Sequence, residues 1–228
     1  MIFRQSDSSP SAGATETAEP RRQRSRPVHS HEPRLARQFG RLTDNIVREF
    51  PPEVGGTILF TGLGSNRHVA EVAEEVARQL AFHLETSSVA LVDGNADTPI
   101  LTERLAGAQK VGLAEILQQR TTVASTLFDT GMRGVRFLPF GDRREARNPV
   151  TSQAVKSAFS DLRQLCRYTV VTIGAGQTKL HARLSRHSDG TYLIVQLGAA
   201  NYQDMAKTTR YLNRAGARLL GCVATSAI

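Results

Sequence analysis

Six short apolar runs, at 57–61, 88–92, 135–139, 168–173, 191–197 and 219–224, alternate with helical stretches near 67–84, 112–128, 150–165 and 201–215. Runs this predominantly apolar read as strands buried on both faces, and strands separated by helices cross over and pair in parallel. The alternation therefore limits the chain to an α/β architecture, a doubly wound, mostly parallel sheet with helices on both faces. In the 67–84 helix, Val69, Val72, Ala73, Val76 and Leu80 make the stripe that meets the sheet, and Glu71, Glu74, Glu75 and Arg78 are expected to face outward. Ahead of the first strand, Leu35, Phe39, Leu42, Ile46, Val47 and Phe50 recur at helical spacing. Pro51-Pro52 ends that run, which makes an amphipathic helix on the flank of the domain.

In such a sheet ligands sit at the carboxyl ends of the strands, so segments 62–68, 93–99 and 174–177 are expected around one crevice. The loop Gly62-Leu63-Gly64-Ser65-Asn66 stands where a phosphate cradle belongs. A working cradle converges backbone N–H groups on the phosphates, reaches the β/γ oxygens with a lysine and holds Mg²⁺ with the next hydroxyl. Arg67 and His68 occupy those two positions here. The candidate phosphate-binding residues are Gly62, Gly64, Ser65, Asn66, Arg67 and His68, although a plain strand-to-helix turn would use the same glycines. A guanidinium is planar and bulkier than an ammonium and is no simple substitute in a tight loop.

Asp93 ends the second strand and is the one candidate catalytic residue, placed to orient water or, with Asn95, a metal. Its competing role is to cap the following turn. The strand 168–173 runs into Gly174, where the acid of a Walker-B strand would hold Mg²⁺, and glycine offers no side chain. A dinucleotide fingerprint built from Gly62-Leu63-Gly64 and Asp93 is opposed by Arg67 at the position of the third glycine.

At 228 residues and 40% hydrophobic, the chain can bury one substantial core, which makes one domain at 34–228 and a tail at 1–33. The tail is rich in Ser, Thr, Ala, Pro and Arg and is expected to be disordered. Its Arg21, Arg22, Arg24 and Arg26 would touch anionic lipid or nucleic acid, or simply be solvated. The net charge of +8 suits acidic partners and equally a soluble surface. Cys166 and Cys222 lack the spacing of a zinc site or disulfide framework, and no apolar run nears the roughly 20 residues of a membrane span. A cytoplasmic location follows as the expectation.

Several segments in order resemble one family across residues 34–225. They are Val89-Ala-Leu-Val-Asp93-Gly-Asn95-Ala-Asp-Thr-Pro99, Val111-Gly-Leu-Ala-Glu-Ile-Leu117, Phe137-Leu-Pro-Phe-Gly141 with Asn148-Pro149, Ser188-Asp-Gly-Thr-Tyr-Leu-Ile-Val195, and Leu212-Asn-Arg-Ala-Gly-Ala-Arg-Leu-Leu-Gly-Cys-Val223. Together they resemble the tyrosine autokinases (BY-kinases) of bacterial capsule and exopolysaccharide synthesis, a branch of the MinD/ParA-like P-loop ATPases with a deviant Walker A.

The departures from that pattern carry as much as the matches. The family's Walker lysine falls at Arg67, its neighbouring glycine at Asn66, and the hydroxyl residues at His68 and Val69. The second acid of its next motif falls at Asn95 and the following arginine at Asp97. The third element's aspartate falls at Gly174, and the adenine-reading asparagine at Thr225. The Glu/Arg/Arg motif of subunit contacts falls at Arg37, Gly40 and Thr43, so any homo-oligomer would form by another route. The tyrosine-rich tail is missing before Ile228.

The resemblance thus implies a degenerate member, with ATP and magnesium not expected to be firmly held. Such a chain would be a regulatory or binding subunit of exopolysaccharide export. It would sit peripherally at the inner membrane through its partner, a membrane polysaccharide co-polymerase of the chain-length determinant kind. Two alternatives stay open: a slow ATPase or protein-tyrosine kinase using Arg67 and Asp93, and a ParA-like DNA-binding protein using its arginines.

Overall fold

The structure is a computed structural model and describes residues 33–84, 88–106, 111–174, 176 and 178–225, the first six by their backbone alone. The basic tail, with its arginine cluster, lies outside the described residues. Helix α1 (Pro33–Glu49) leads into strand β1 (Gly56–Leu63), and helix α2 (Asn66–His83) into β2 (Val89–Asp93). A π-helical turn (Thr102–Ala106) and two short helices, α3 (Leu113–Leu117) and α4 (Val123–Thr126), come before β3 (Phe128–Asp129) and β4 (Val135–Leu138). A 3-10 turn (Glu145–Arg147), α5 (Ser152–Leu165), β5 (Tyr168–Ile173), α6 (Lys179–His187), β6 (Gly190–Gln196), α7 (Tyr202–Ala215) and β7 (Leu219–Thr225) complete the order.

The seven strands lie in the order β3-β4-β2-β5-β1-β6-β7, all parallel except the two-residue β3. Side chains alternate across the sheet, so Ile58 and Phe60 enter one core with α1 and α2 while Leu59 enters the other with α3, α4, α5 and α6. Burial on both faces is why β1, β2 and β5 read as runs of mostly apolar and β-branched residues. Register then aligns the strand ends: Thr61 lies beside Ile173, and Asp93 beside Thr172. That alignment brings the β1 loop, Asp93 and Gly174 to one edge.

Four expectations need correction. The helix expected over 112–128 is two short helices and an edge strand. Gln119 turns the chain with φ of 59°, and Thr122 restarts a helix by accepting the Ser125 N–H on its hydroxyl. Helix α6 carried too weak an apolar signal to read, because Leu180 and Leu184 share its buried face with His181 and Ser185. Glu74 and Glu75 do not face outward. They are buried where the π-helical turn and α1 close over α2, and they pair with Arg104 and Arg78 respectively. Finally, β1 runs on to Leu63 through pairs with β6, and α2 opens at Asn66, so the expected five-residue loop shrinks to Gly64-Ser65.

Candidate functional site

Gly62 is part of β1, and a Cβ there would meet Val69 Cγ2 at 2.3 Å. Its glycine serves the close approach of α2 to the strand. Gly64 makes the turn at φ +104°, and a Cβ on it would meet the Gln196 side chain at 2.9 Å. Two residues then connect strand to helix, which is too little backbone to wrap around a phosphate.

Three of the amides at this turn, those of Ser65, Arg67 and His68, already have partners. Ser65 N–H donates to Gln196 Oε1 at 3.1 Å. Arg67 N–H donates to the Ser65 hydroxyl at 3.2 Å, and His68 N–H to the Ser65 carbonyl at 3.2 Å. Ser65 thus acts as an ordinary N-cap, the role that an anion would otherwise take at a helix start. The Arg67 side chain is 76% exposed and its Nε donates to Glu71 at 2.9 Å, one helical turn along. It lies over the helix surface instead of reaching across the loop.

Between α2 and β5 the crevice is closed by a neutral network. Asn66 Nδ2 donates to Thr98 Oγ1 at 2.7 Å, and Asn95 Nδ2 donates to the same oxygen at 3.0 Å. Asn95 Oδ1 accepts the N–H groups of Asp97 and Thr98, both at 3.2 Å, and so spends itself on the turn. A Cβ at Gly174 would meet both polar atoms of the Asn95 amide, at 3.0 and 3.1 Å, and Asn66 Nδ2 at 3.2 Å, so an acid there would displace the network. The space left among Asn66, Asp93, Asn95 and Thr98 is about 10 Å³, room for one water at most.

Asp93 is 1% exposed. Its Oδ1 accepts the Asn95 N–H at 3.1 Å, and its Oδ2 accepts both the N–H and the hydroxyl of Thr102 at 2.9 Å. Thr102 Oγ1 in turn accepts the Phe140 N–H at 2.9 Å. Asp93 therefore ties the end of β2 to the π-helical turn and to the chain leaving β4. Burial pushes its carboxyl up to about 6, against the pull of those hydrogen bonds. Among the described residues no cluster of three or more His, Cys, Asp or Glu side chains is placed to hold a metal.

The structure thus brings Asn66, Asp93, Asn95 and Gly174 together, as expected of the crevice, and leaves Arg67 outside it. Sequence reasoning missed Gln196, Thr98 and Thr102, which supply the contacts that close the site. Only the β1–β6 pairing reveals that Gln196 stands over the turn. Thr225, at the position of the adenine-reading asparagine, donates from Oγ1 to the Val195 carbonyl at 3.5 Å. Thr43, in the subunit-contact motif, is buried and donates to Gln79 Oε1 on α2 at 3.0 Å, while Arg37 is described by its backbone alone.

Solved structures share this fold. The chimerical protein CapA2B2 superposes with a TM-score of 0.68 at 18% identity, over 83% of each chain. The kinase domain of the Escherichia coli tyrosine kinase ETK gives a TM-score of 0.71 at 14% identity, over 85% of this chain and 76% of that one. The chain shares its fold with bacterial tyrosine kinase domains. The kinase fold is in turn of P-loop ATPase type. The cell division ATPase MinD of Pyrococcus furiosus matches at a TM-score of 0.63 and 18% identity, over 75% of this chain and 71% of that one. No protein-family model matches the sequence, and no curated protein matches it. The likeness is one of fold, and the chemistry has to be argued from the residues in place.

An ATP·Mg²⁺ complex does not fit them. Its phosphates would need the Ser65 and Arg67 amides, and its metal would need an acid that Gly174 lacks and that Asp93 has committed elsewhere. Among the described residues no helix is long and apolar enough to cross a membrane.

Proposed function

We propose that this chain is a degenerate BY-kinase-like protein that acts without nucleotide turnover, as a binding or regulatory subunit of bacterial exopolysaccharide synthesis and export. The observation that carries the reading is the Ser65 N–H held by Gln196, together with the amide network that fills the crevice. Mutational drift that merely removed a lysine would leave a hollow; here the hollow is closed by matched donors and acceptors, which supports a fold kept for its surface. The proposed partner is a membrane polysaccharide co-polymerase, which would bring the chain to the inner membrane from the cytoplasmic side. The kinship of fold with tyrosine kinase domains supports this kind of role. The rival reading, slow turnover through Arg67 and Asp93, finds no support in an Arg67 tied to Glu71 and an Asp93 with both oxygens engaged.

Titration calorimetry with ATP and Mg²⁺ tests the first half. No saturable heat is expected up to millimolar nucleotide, and micromolar binding would end the proposal. The second half is tested by co-purification with a co-polymerase encoded in the same gene neighbourhood. The complex is expected to form equally well with and without ATP, and a complex that forms only with ATP would overturn it.

A further inference from the structure

The 95–98 loop closes the crevice with Asn95 and Thr98 and turns Ala96 and Asp97 the other way. There they border a cavity of about 620 Å³ between the 3-10 turn, the residues leading into α5 and the start of α6. That volume lies within the range of about 300–1,000 Å³ usual for small-molecule sites. Val150 and Leu180, both buried, and the partly buried Ala96 and Ala146 give it apolar walls.

Around those walls stand Arg143, Arg147, Lys179 and Arg183, against the single acid Asp97. Arg143 Nε donates to the Ala96 carbonyl at 3.1 Å, which holds its guanidinium at the cavity. Among the described residues Arg147, Lys179 and Arg183 form no side-chain hydrogen bond or ion pair. Elsewhere among the described residues Arg67, Arg78, Arg104, Arg120, Arg163 and Arg218 each pair with a carboxylate, and the exposed Arg133, Lys156, Arg186 and Arg214 do not, so the cavity is set apart by the gathering of its cations around one hollow. Helix α6 begins at the cavity, with Thr178, Lys179 and Leu180 on its lining and no acid in its first turn. Its dipole adds to the positive field. Like charges around one hollow repel one another, and a bound anion relieves that repulsion.

We propose that this cavity binds an organic phosphate of at least two negative charges, about the size of a nucleoside diphosphate. Arginine forks suit phosphate oxygens, and the apolar walls suit the organic part; the α6 start itself is capped by Thr178, which accepts the His181 N–H, so it contributes only its dipole. A concave site with such walls favours a small molecule over duplex DNA, which a cationic stripe on an open surface would serve better. The inference goes beyond the proposed function, because a ligand here needs neither the closed crevice nor turnover.

The test titrates the full chain with UDP, with inorganic pyrophosphate as a competitor, in the absence of Mg²⁺. UDP is expected to bind one to one, to be displaced by pyrophosphate, and to weaken roughly tenfold or more in Arg183→Ala and in Lys179→Ala. The same variants are expected to keep the far-ultraviolet circular dichroism of the parent. Arg214→Ala, an exposed change at the end of α7, is expected to bind like the parent. Absence of UDP binding overturns the proposal, and so does an equal loss in Arg214→Ala, which would mean attraction by net charge. Retention on duplex DNA that depends on Arg183 and Lys179, without UDP binding, overturns it as well. UDP binding that survives both cavity substitutions but fails in Gln196→Ala would move the anion to the β1 loop and sink the proposed function too.

Discussion

Two hollows share one loop at the carboxyl edge of the sheet, and they have opposite characters. On one side Asn66, Asn95 and Thr98 satisfy one another and leave about 10 Å³. On the other, four cations face about 620 Å³ with one acid among them. The first is small and bridged by amide hydrogen bonds, and the second is large and rich in cations, three of them without a side-chain partner among the described residues. The contrast teaches that two hollows bordered by one loop can differ in kind: one is packed shut by amide side chains, and the other is lined by cations. It follows that substitutions in the crevice should read out as stability, and substitutions in the cavity as binding.

The largest effect is expected from Asp93→Ala. It strands the Thr102 N–H and hydroxyl and the Asn95 N–H in a buried site, and urea denaturation at pH 5 should show a loss of about 2–4 kcal/mol. A carboxylate that served an open metal or water site would show almost none. The same residue gives a pH signature. Because its folded pKa of about 6 is raised from 3.8, the folded state holds the proton longer than the unfolded chain does. Stability from this group is full below about pH 4 and falls as pH rises towards 6, by up to about 3 kcal/mol. The deficit of Asp93→Ala should therefore narrow over that interval, and a deficit independent of pH would contradict the buried assignment.

Next comes Gly62→Ala, whose new methyl meets Val69 at 2.3 Å and should cost about 1–3 kcal/mol by overpacking. If Gly62 belonged to a phosphate loop instead, the change would leave thermal unfolding nearly untouched. Ser65→Ala removes the N-cap of α2 and should cost about 1 kcal/mol in the same measurement. The smallest change is Arg67→Ala, which breaks an exposed pair with Glu71 and should stay within about 0.5 kcal/mol. A larger loss would place that guanidinium in the crevice after all and blur the contrast between the two hollows.

Legibility followed the strength of each local signal. The strands at 57–61, 88–92 and 168–173 were plain, because a strand buried on both faces is predominantly apolar and admits little beyond β-branched threonine. Helix α6 was hidden because His181 and Ser185 take core positions that leucines would have marked. The split of 112–128 was hidden because Gln119 adopts a left-handed turn without a glycine to announce it. Glu74 and Glu75 looked solvated because a helical stripe says nothing of what covers its far side, here Arg104, Arg78 and α1. In the site, the identities of Arg67 and Gly174 were readable, and the side chains that close the crevice around them were not.

From the order of residues alone came the α/β alternation, the place of the crevice and the want of a lysine and an acid, since each rests on periodicity or on the identity of one side chain. Folding in three dimensions decided the rest. Gln196 lies 131 residues from Ser65 and Arg183 lies 40 from Arg143, and the partner of a polar group, unlike its presence, depends on which strands and loops the sheet sets side by side. Whether a donor is spent on a neighbour or left for a ligand is a property of that juxtaposition, so one loop could close one hollow and border another with no sign of either in the local sequence.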